Sequence, residues 1–100
     1  MNAKTARGLL DGYNLTEFQK DVLVATAAIP KGETRTYKQI AIAVRKPGAY
    51  RAVGSTMRIN PLAPMIPCHR VVKSDGSLGN YSAKGGTKTK ERMLRKEEAL

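Results

Sequence analysis

The chain has 100 residues, with 18 Lys and Arg against eight Asp and Glu, and its formal net charge is +10 at pH 7. A chain of this length has interior for one hydrophobic core, which excludes two domains. Hydrophobic residues make up 41% of the sequence, so a folded core is expected and intrinsic disorder is excluded. The surplus of positive charge predicts a polyanion as partner.

Cysteine and histidine each occur once, at Cys68 and His69. One cysteine cannot form an intramolecular disulfide, and the pair is too small for a four-ligand zinc site, which excludes a disulfide scaffold and a zinc finger. The longest apolar stretch, residues 22–29, is too short to span a bilayer and too far along the chain for a signal peptide. We expect a soluble intracellular protein without metal or cofactor.

The first helix that the sequence predicts begins at Thr16. Thr16 and Gln19 form a capping box, in which each side chain accepts a hydrogen bond from the other residue's backbone N–H. Pro and Gly within residues 30–32 predict the end of this helix. Residues 1–15 show no clear periodicity, so we expect a loosely ordered N-terminal lead there, followed by one domain over residues 16–100.

Two further helices are predicted in the middle of the chain. A second capping box, formed by Thr36 and Gln39, starts one of them, and the other spans residues 49–58. Two short helices joined by a turn that contains Gly are typical of a helix-turn-helix, although the same pattern occurs in folds with no nucleic-acid partner. Arg51 and Arg58 are seven residues apart and should lie on one face of the second of these helices.

The sequence of the last part of the chain predicts an extended segment over residues 60–67, called the strap, followed by a hairpin and a final helix. Three prolines within residues 60–67 predict an extended and rigid backbone. The Asp-Gly pair at residues 75–76 lies between β-type runs at residues 68–73 and 78–81 and predicts a β-hairpin. Residues 87–100 have the pattern of a helix. The expected fold is therefore mainly α with a short β-hairpin that serves as a wing beside the helix-turn-helix.

One cluster of residues, Cys68, His69 and Arg70, has the composition of a reactive thiol site. A thiolate is a nucleophile, and a neighbouring imidazole and guanidinium favour it over the neutral thiol. The alternative is that Cys68 is a small buried hydrophobic residue and His69 a structural one. Adjacent side chains of an extended segment point to opposite faces, so proton transfer between these two needs a bend or a bridging water.

Motifs around this cluster strongly resemble the O6-alkylguanine-DNA alkyltransferase family, also called methylated-DNA–protein-cysteine methyltransferases. The resemblance covers residues 16–97 and rests on the runs Arg51-Ala52-Val53-Gly54, Met57-Arg58, Asn60-Pro61 and Ile66-Pro67-Cys68-His69-Arg70-Val71-Val72. It implies a winged-helix-like DNA-binding domain, here without the N-terminal domain that usually precedes it. It also implies a DNA repair protein that flips O6-alkylguanine from the duplex and transfers the alkyl group irreversibly to Cys68 in a single turnover.

The resemblance implies a role for each candidate catalytic residue. Cys68 is the alkyl acceptor, His69 is a base that acts through a water, and Glu97 orients the histidine. Tyr37 donates to the base and crowds the 3′ phosphate, which helps to rotate the nucleotide outward. Asn60 ties the helix-turn-helix to the strap that leads to Cys68.

The same resemblance implies contacts with the minor groove of double-stranded DNA. Arg51 is the finger that takes the place of the flipped base, and small side chains on its helix allow close approach to the groove. The implied DNA-binding residues are Tyr37, Arg51, Ala52, Gly54 and Arg58. The implied guanine pocket consists of Tyr37, Cys68, Val71 and Ser82. Tyr50 departs from the family pattern, because a small residue is expected before the arginine finger.

Three other functions are compatible with parts of the sequence. The first is an alkyltransferase-like module that binds lesions and recruits other repair factors without reacting, although such proteins commonly carry Trp in place of Cys68. The second is a winged-helix regulator, in which the residues around Cys68 would have no purpose. The third is a module of a larger repair polypeptide, with a fused repair domain or other repair proteins as partners. For the chain itself we expect a monomer that binds DNA and no membrane.

Overall fold

The computed structural model describes residues 2–63, 65–74 and 86–97. This part of the chain contains five α-helices, two short strands and one 3-10 turn. The helices are α1 (Ala3–Leu10), α2 (Glu17–Ala27), α3 (Tyr37–Ala43), α4 (Tyr50–Arg58) and α5 (Gly86–Lys96). The strands are β1 (Arg35–Thr36) and β2 (Val71–Val72), and the 3-10 turn spans Cys68–Arg70. The prediction of a mainly helical fold is confirmed. Among these residues, no helix is long and apolar enough to cross a membrane.

Helices α2 and α3 begin at the two predicted capping boxes. Thr16 Oγ1 accepts from the backbone of Gln19 at 3.1 Å, and Gln19 Oε1 accepts from the backbone of Thr16 at 2.9 Å. Thr36 and Gln39 repeat this arrangement at 3.0 and 2.8 Å. The predicted starts of both helices are confirmed, because a capping box uses only residues three apart in the chain.

Helix α2 lies at the centre of the packing and contacts α1, α3 and α4. Its Val22 and Leu23 are fully buried, and the third predicted helix, confirmed as α4, adds Val53 and Met57 to the same core. The predicted final helix is confirmed over α5, whose Leu94 is fully buried. Residues 98–100, which the prediction also included, lie outside the described residues.

The first residues of the chain are helical, in contrast to the loosely ordered lead that the sequence predicts. Helix α1 begins after Asn2, whose side chain accepts from the backbone of Thr5 at 2.8 Å. Ala6 and Leu10 are fully buried, and Arg7 bonds to carboxylates of α2, including Glu17 at 3.2 Å. The prediction is wrong because two apolar residues give little periodicity, and the carboxylates that bind Arg7 come from a later helix.

The strap between α4 and the 3-10 turn is folded rather than extended. The backbone N–H of Ile66 donates to the carbonyl of Leu62 at 2.9 Å, which closes a turn. The next segment, predicted as strand, forms a 3-10 turn in which the N–H of Arg70 donates to the carbonyl of Pro67 at 2.9 Å. The prediction of an extended strap is wrong, because prolines limit the backbone torsions without preventing turns between them. The predicted strand over residues 68–73 is confirmed only for Val71–Val72, since the residues before them form the 3-10 turn.

The short sheet joins two distant parts of the chain. Strands β1 and β2 run parallel, with Arg35 opposite Val71 and Thr36 opposite Val72. The predicted hairpin would instead pair the segment containing β2 with residues 78–81, which lie outside the described residues, as does its turn. The observed pair places the start of α3 next to the end of the 3-10 turn.

Helix α1 offers a direct test of its part in the fold, because its last two residues are both leucine. Leu10→Ala should lower the free energy of unfolding by about 2–4 kcal/mol, since Leu10 is fully buried. Leu9→Ala is the matched control, because Leu9 is 42% exposed and its truncation should cost less than about 0.5 kcal/mol. Urea denaturation measures both. Equal small effects would mean that α1 contributes little to the fold.

Candidate active site and DNA-binding face

The only cysteine of the chain lies on a turn whose first two residues are buried. Cys68 and His69 are 0% and 2% exposed, and they occupy the first two positions of the 3-10 turn. The turn forms directly after Pro67, and the N–H of Cys68 donates to the carbonyl of Ile66 at 2.8 Å. The structure thus supplies the bend that proton transfer between these adjacent residues requires.

The carboxylate of Glu97, one residue beyond α5, binds both side chains that follow Cys68. Its Oε1 lies 3.1 Å from Nε2 of His69. Arg70 donates to Oε1 from Nε at 2.9 Å and to Oε2 from Nη2 at 2.6 Å. Arg70 also donates from Nη1 to the carbonyl of Ile29, at 2.9 Å, just after α2. These bonds fix the turn to two other parts of the fold.

These contacts determine the charges of Glu97 and His69. The hydrogen bond from Arg70 is the main cause that lowers the pKa of Glu97 from 4.5 to about 2, so Glu97 is a carboxylate. Burial lowers the pKa of His69 below 6.5, although its hydrogen bond with Glu97 opposes this. A carboxylate only accepts hydrogen bonds, so a neutral His69 donates from Nε2 and keeps its basic lone pair on Nδ1.

Asn60 lies between α4 and the strap and is 5% exposed. Its Nδ2 donates to the carbonyl of Ile66 at 2.9 Å, and its Oδ1 accepts from the backbone of Leu62 at 3.0 Å. Ile66 is in turn the acceptor for the N–H of Cys68. Asn60 therefore connects the end of α4 to the turn by two consecutive hydrogen bonds, as the resemblance implies.

Lys90 is a residue of this site that the sequence analysis missed. Its side chain is 0% exposed, and its ammonium group donates to the carbonyl of Val71 and lies 5.8 Å from the centre of the Tyr37 ring. Burial lowers the pKa of Lys90 from 10.5 to about 8, and the charge of Cys68 opposes this. The spacing of Lys90 and Leu94 is a usable signal in the sequence, because residues four apart lie on one face of a helix and both side chains are fully buried.

Four of the five residues that the resemblance implies for DNA binding line a basic groove of about 480 Å³. Its lining combines the start of α3, the exposed face of α4 and the residues after β2, namely Tyr37, Lys38, Tyr50, Arg51, Gly54, Ser55, Arg58, Lys73 and Ser74. Arg51 and Arg58 are both exposed and lie on the same face of α4, as predicted. Ala52 is exposed beside them. The ammonium of Lys38 lies 5.7 Å from the centre of the Tyr50 ring, so Tyr50 occupies the rim of this groove.

The structure brings together two sets of the predicted residues. Cys68, His69, Glu97, Val71 and Asn60 belong to the buried site. Of the residues that the resemblance implies for DNA binding, Tyr37, Arg51, Gly54 and Arg58 line the groove. Tyr37 belongs to both, since it is 7% exposed, lines the groove and lies close to Gly54. Ser82 lies outside the described residues. Within residues 2–63, 65–74 and 86–97, no cluster of His, Cys, Asp and Glu could hold a metal ion.

The low pKa of Glu97 predicts a specific loss of stability in acid. Because folding favours the carboxylate, this stabilisation is complete above pH 4.5 and disappears as the pH falls toward 2. Glu97→Gln should remove the part of the acid-induced fall in the free energy of unfolding that comes from protonation of Glu97. The control is Glu91→Gln on α5, since Glu91 pairs with Arg95, whose side chain is 69% exposed. Denaturant unfolding at several pH values measures this, and equal acid slopes for wild type and Glu97→Gln would contradict the prediction.

Comparison with known proteins places this geometry in a family. A family model described as "6-O-methylguanine DNA methyltransferase, DNA binding domain" matches residues 17–99. A methylated-DNA–protein-cysteine methyltransferase from Methanosarcina barkeri is 50% identical over 97 residues, which cover 91% of this chain and 60% of the relative.

Two solved structures have the same fold. An OGT from Mycobacterium tuberculosis in complex with DNA is 43% identical with a TM-score of 0.80, over 86% of this chain and 52% of the other. Atl1 from S. pombe, in complex with damaged DNA containing O6-carboxymethylguanine, is 30% identical with a TM-score of 0.73, over 85% and 79% of the two chains. The chain spans about half the length of several methyltransferases that it matches. The resemblance seen in the sequence is confirmed, and the chain belongs to the 6-O-methylguanine DNA methyltransferase family.

Proposed function

We propose that the protein repairs DNA by transferring the alkyl group of O6-alkylguanine to Sγ of its own Cys68, once per molecule. The observation that carries this proposal is the buried turn on which Cys68 precedes His69, whose imidazole is bound to the Glu97 carboxylate. The names of the related methyltransferases support the same reaction. The responsible domain is the one predicted over residues 16–100, against which α1 packs through α2. In this proposal it acts as a monomer on double-stranded DNA and works in the cytoplasm with the nucleoid, or in a nucleus.

The reaction is a displacement at the alkyl carbon. An electron pair of the Cys68 thiolate forms the new S–C bond, the C–O6 bond breaks, and its electron pair goes to the guanine. Neutral His69 accepts the thiol proton at Nδ1, through a bridging water, and Glu97 holds the imidazole in that orientation. The guanine takes up a proton, so the products are intact guanine and S-alkylcysteine. The thioether is stable, so each molecule reacts once.

The groove beside α4 would bind the duplex in its minor groove. Arg51, exposed near the start of α4, enters the base stack where the damaged nucleotide leaves it. Ala52 and Gly54 let the helix backbone approach closely, and Arg58 contacts phosphate. Minor-groove contacts carry little sequence information, which suits a protein that must find one lesion in any sequence.

Tyr37 would connect DNA binding with the reaction, because it both lines the groove and lies beside the buried site. In this proposal it rotates the nucleotide outward and donates to the flipped base. The base then occupies a pocket formed by Tyr37, Cys68, Val71 and Ser82.

A second candidate function is a lesion-binding module that recruits other repair factors without reacting. The observation that favours it is the likeness to Atl1 from S. pombe, whose structure contains O6-carboxymethylguanine DNA and whose chain is covered to 79%. Cys68 argues for the reacting protein, because a binding module has no need of a thiol on a turn next to a basic imidazole.

Mass spectrometry of the intact protein separates these two functions. After incubation with a duplex that carries one O6-methylguanine, we expect a single mass gain of about 14 Da, since one methyl replaces one thiol hydrogen. The gain should map to Cys68 and be absent from Cys68→Ser. An unchanged mass with retained binding to the damaged duplex would show a binding module instead.

The role of Arg51 predicts a difference between two substrates. Arg51→Ala should slow repair of the duplex about tenfold or more, because the empty position in the stack is left unfilled. Reaction with the free O6-alkylguanine base should change little, since no flipping is needed. Arg95→Ala, at an exposed position on α5, is the control and should leave both rates unchanged. Equal losses on both substrates would show that Arg51 is not the inserted residue.

A further inference from the structure

Tyr50, the first residue of α4, is a large aromatic side chain at an exposed position. It is 40% exposed, and the hydrophobic core formed by the described residues does not include it. A tyrosine outside the core presents an apolar ring and a polar hydroxyl to a partner. The family resemblance predicts a small residue at this position, so the ring is a departure of this chain, and the reaction proposed above assigns no task to it.

The ring lies on the face of α4 that lines the basic groove. The residues that α4 contributes to this lining are spaced as one helix face requires and are Tyr50, Arg51, Gly54, Ser55 and Arg58. Tyr37 of α3, the other tyrosine in the described lining, is only 7% exposed. Tyr50 is therefore the exposed aromatic side chain among the described residues that a duplex in this groove would meet.

Lys38 holds the Tyr50 ring in place at the rim of the groove. Its ammonium group lies 5.7 Å from the centre of the ring, which is within the range of a cation–π contact. Lys38 belongs to α3 and also lines the groove, so this contact connects α3 with the start of α4. Because Lys38 is itself exposed, the same cation is available to a DNA phosphate.

Two properties of duplex DNA decide what a ring at this position can do. The minor groove is only about 6 Å wide, so a tyrosine ring enters it where the groove widens. Proteins that place apolar side chains in the minor groove partly unstack the base steps and bend the duplex. The free energy of this deformation depends on sequence, because A-tracts are stiff with a narrow minor groove, whereas TA and CA steps deform easily.

We propose that Tyr50 is a specificity-determining residue for DNA binding, whose ring enters the minor groove beside Arg51 and makes the affinity depend on how easily the flanking duplex deforms. Arg51 follows Tyr50 directly and lines the same groove, so the ring and the guanidinium approach the DNA together. Contact of the ring with sugars and base edges favours binding, and widening of the groove opposes it. This inference rests on the proposed function, in which this groove binds the duplex.

The first test measures the affinity for an undamaged labelled duplex by fluorescence anisotropy at a fixed salt concentration, so that no alkyl transfer accompanies binding. Tyr50→Ala should weaken binding about tenfold, because an aromatic contact with DNA is lost. Tyr50→Phe should restore most of the affinity, because it keeps the ring. If the ring instead obstructed the groove, Tyr50→Ala would bind as tightly as the wild type or more tightly, and this result would overturn the proposal.

Two controls separate the effect of the ring from a loss of structure. Tyr13→Ala is the matched variant, because Tyr13 is 44% exposed and lies outside the groove lining, and it should leave the affinity unchanged. The melting temperature of Tyr50→Ala should stay within about 4 °C of the wild-type value, because substitutions at exposed positions change stability little.

The second test compares two undamaged duplexes of equal length, one with a central A-tract and one with central TA and CA steps. The wild type should bind the deformable duplex about fivefold more tightly, because widening its minor groove costs less. In Tyr50→Ala this ratio should fall toward one, whereas a merely structural role of Tyr50 would weaken binding to both duplexes equally. An unchanged ratio in Tyr50→Ala would overturn the proposal.

Arg58→Ala separates this inference from the proposed function, since Arg58 lines the same groove. If Arg58→Ala weakens binding and Tyr50→Ala does not, the groove binds DNA as proposed and the role of Tyr50 is lost. If neither variant weakens binding, the groove is not the DNA-binding surface and both proposals fail. A protein that shows both effects of Tyr50 but gains no mass from damaged DNA would retain the role of Tyr50 and lose the proposed alkyl transfer.

Discussion

The geometry of the site depends on the hydrogen bonds that the Glu97 carboxylate forms with His69 and Arg70. It binds His69 through one oxygen and Arg70 through both, and Arg70 extends the connection to the carbonyl of Ile29. Three segments that are far apart in the chain meet at this anion: the end of α2, the 3-10 turn and the end of α5. Charge-assisted bonds with forked geometry are strong and directional, so they can hold a three-residue turn that has little regular structure of its own.

The same contacts explain why three basic side chains around one cysteine differ in charge. Arg70 and Glu97 neutralise each other, and burial keeps His69 uncharged, so the imidazole can accept a proton. Burial lowers the pKa of Lys90, whose ammonium group donates to the carbonyl of Val71. A neutral imidazole next to a thiol can remove the proton of that thiol.

The sequence predicted those features that depend on neighbouring residues. The capping boxes at Thr16 and Thr36 and the motif around Cys68 were readable because their partners lie within a few positions. Helix α1 was missed because its stability comes from ion pairs with α2 and from two buried apolar residues. Lys90 was missed because lysines are usually exposed, and only the packing of α5 on the turn determines its burial. Tertiary contacts of this kind cannot be inferred from the pattern of neighbouring residues in the sequence.

The parallel pairing of β1 and β2 consists of four residues, yet it fixes the distance between the two halves of the site. Tyr37 follows β1 directly, and the turn with Cys68 directly precedes β2. A shift of this register by one residue would move one half past the other by about 3.3 Å and reverse the direction of the side chains. Insertions and deletions should therefore be rejected within either strand.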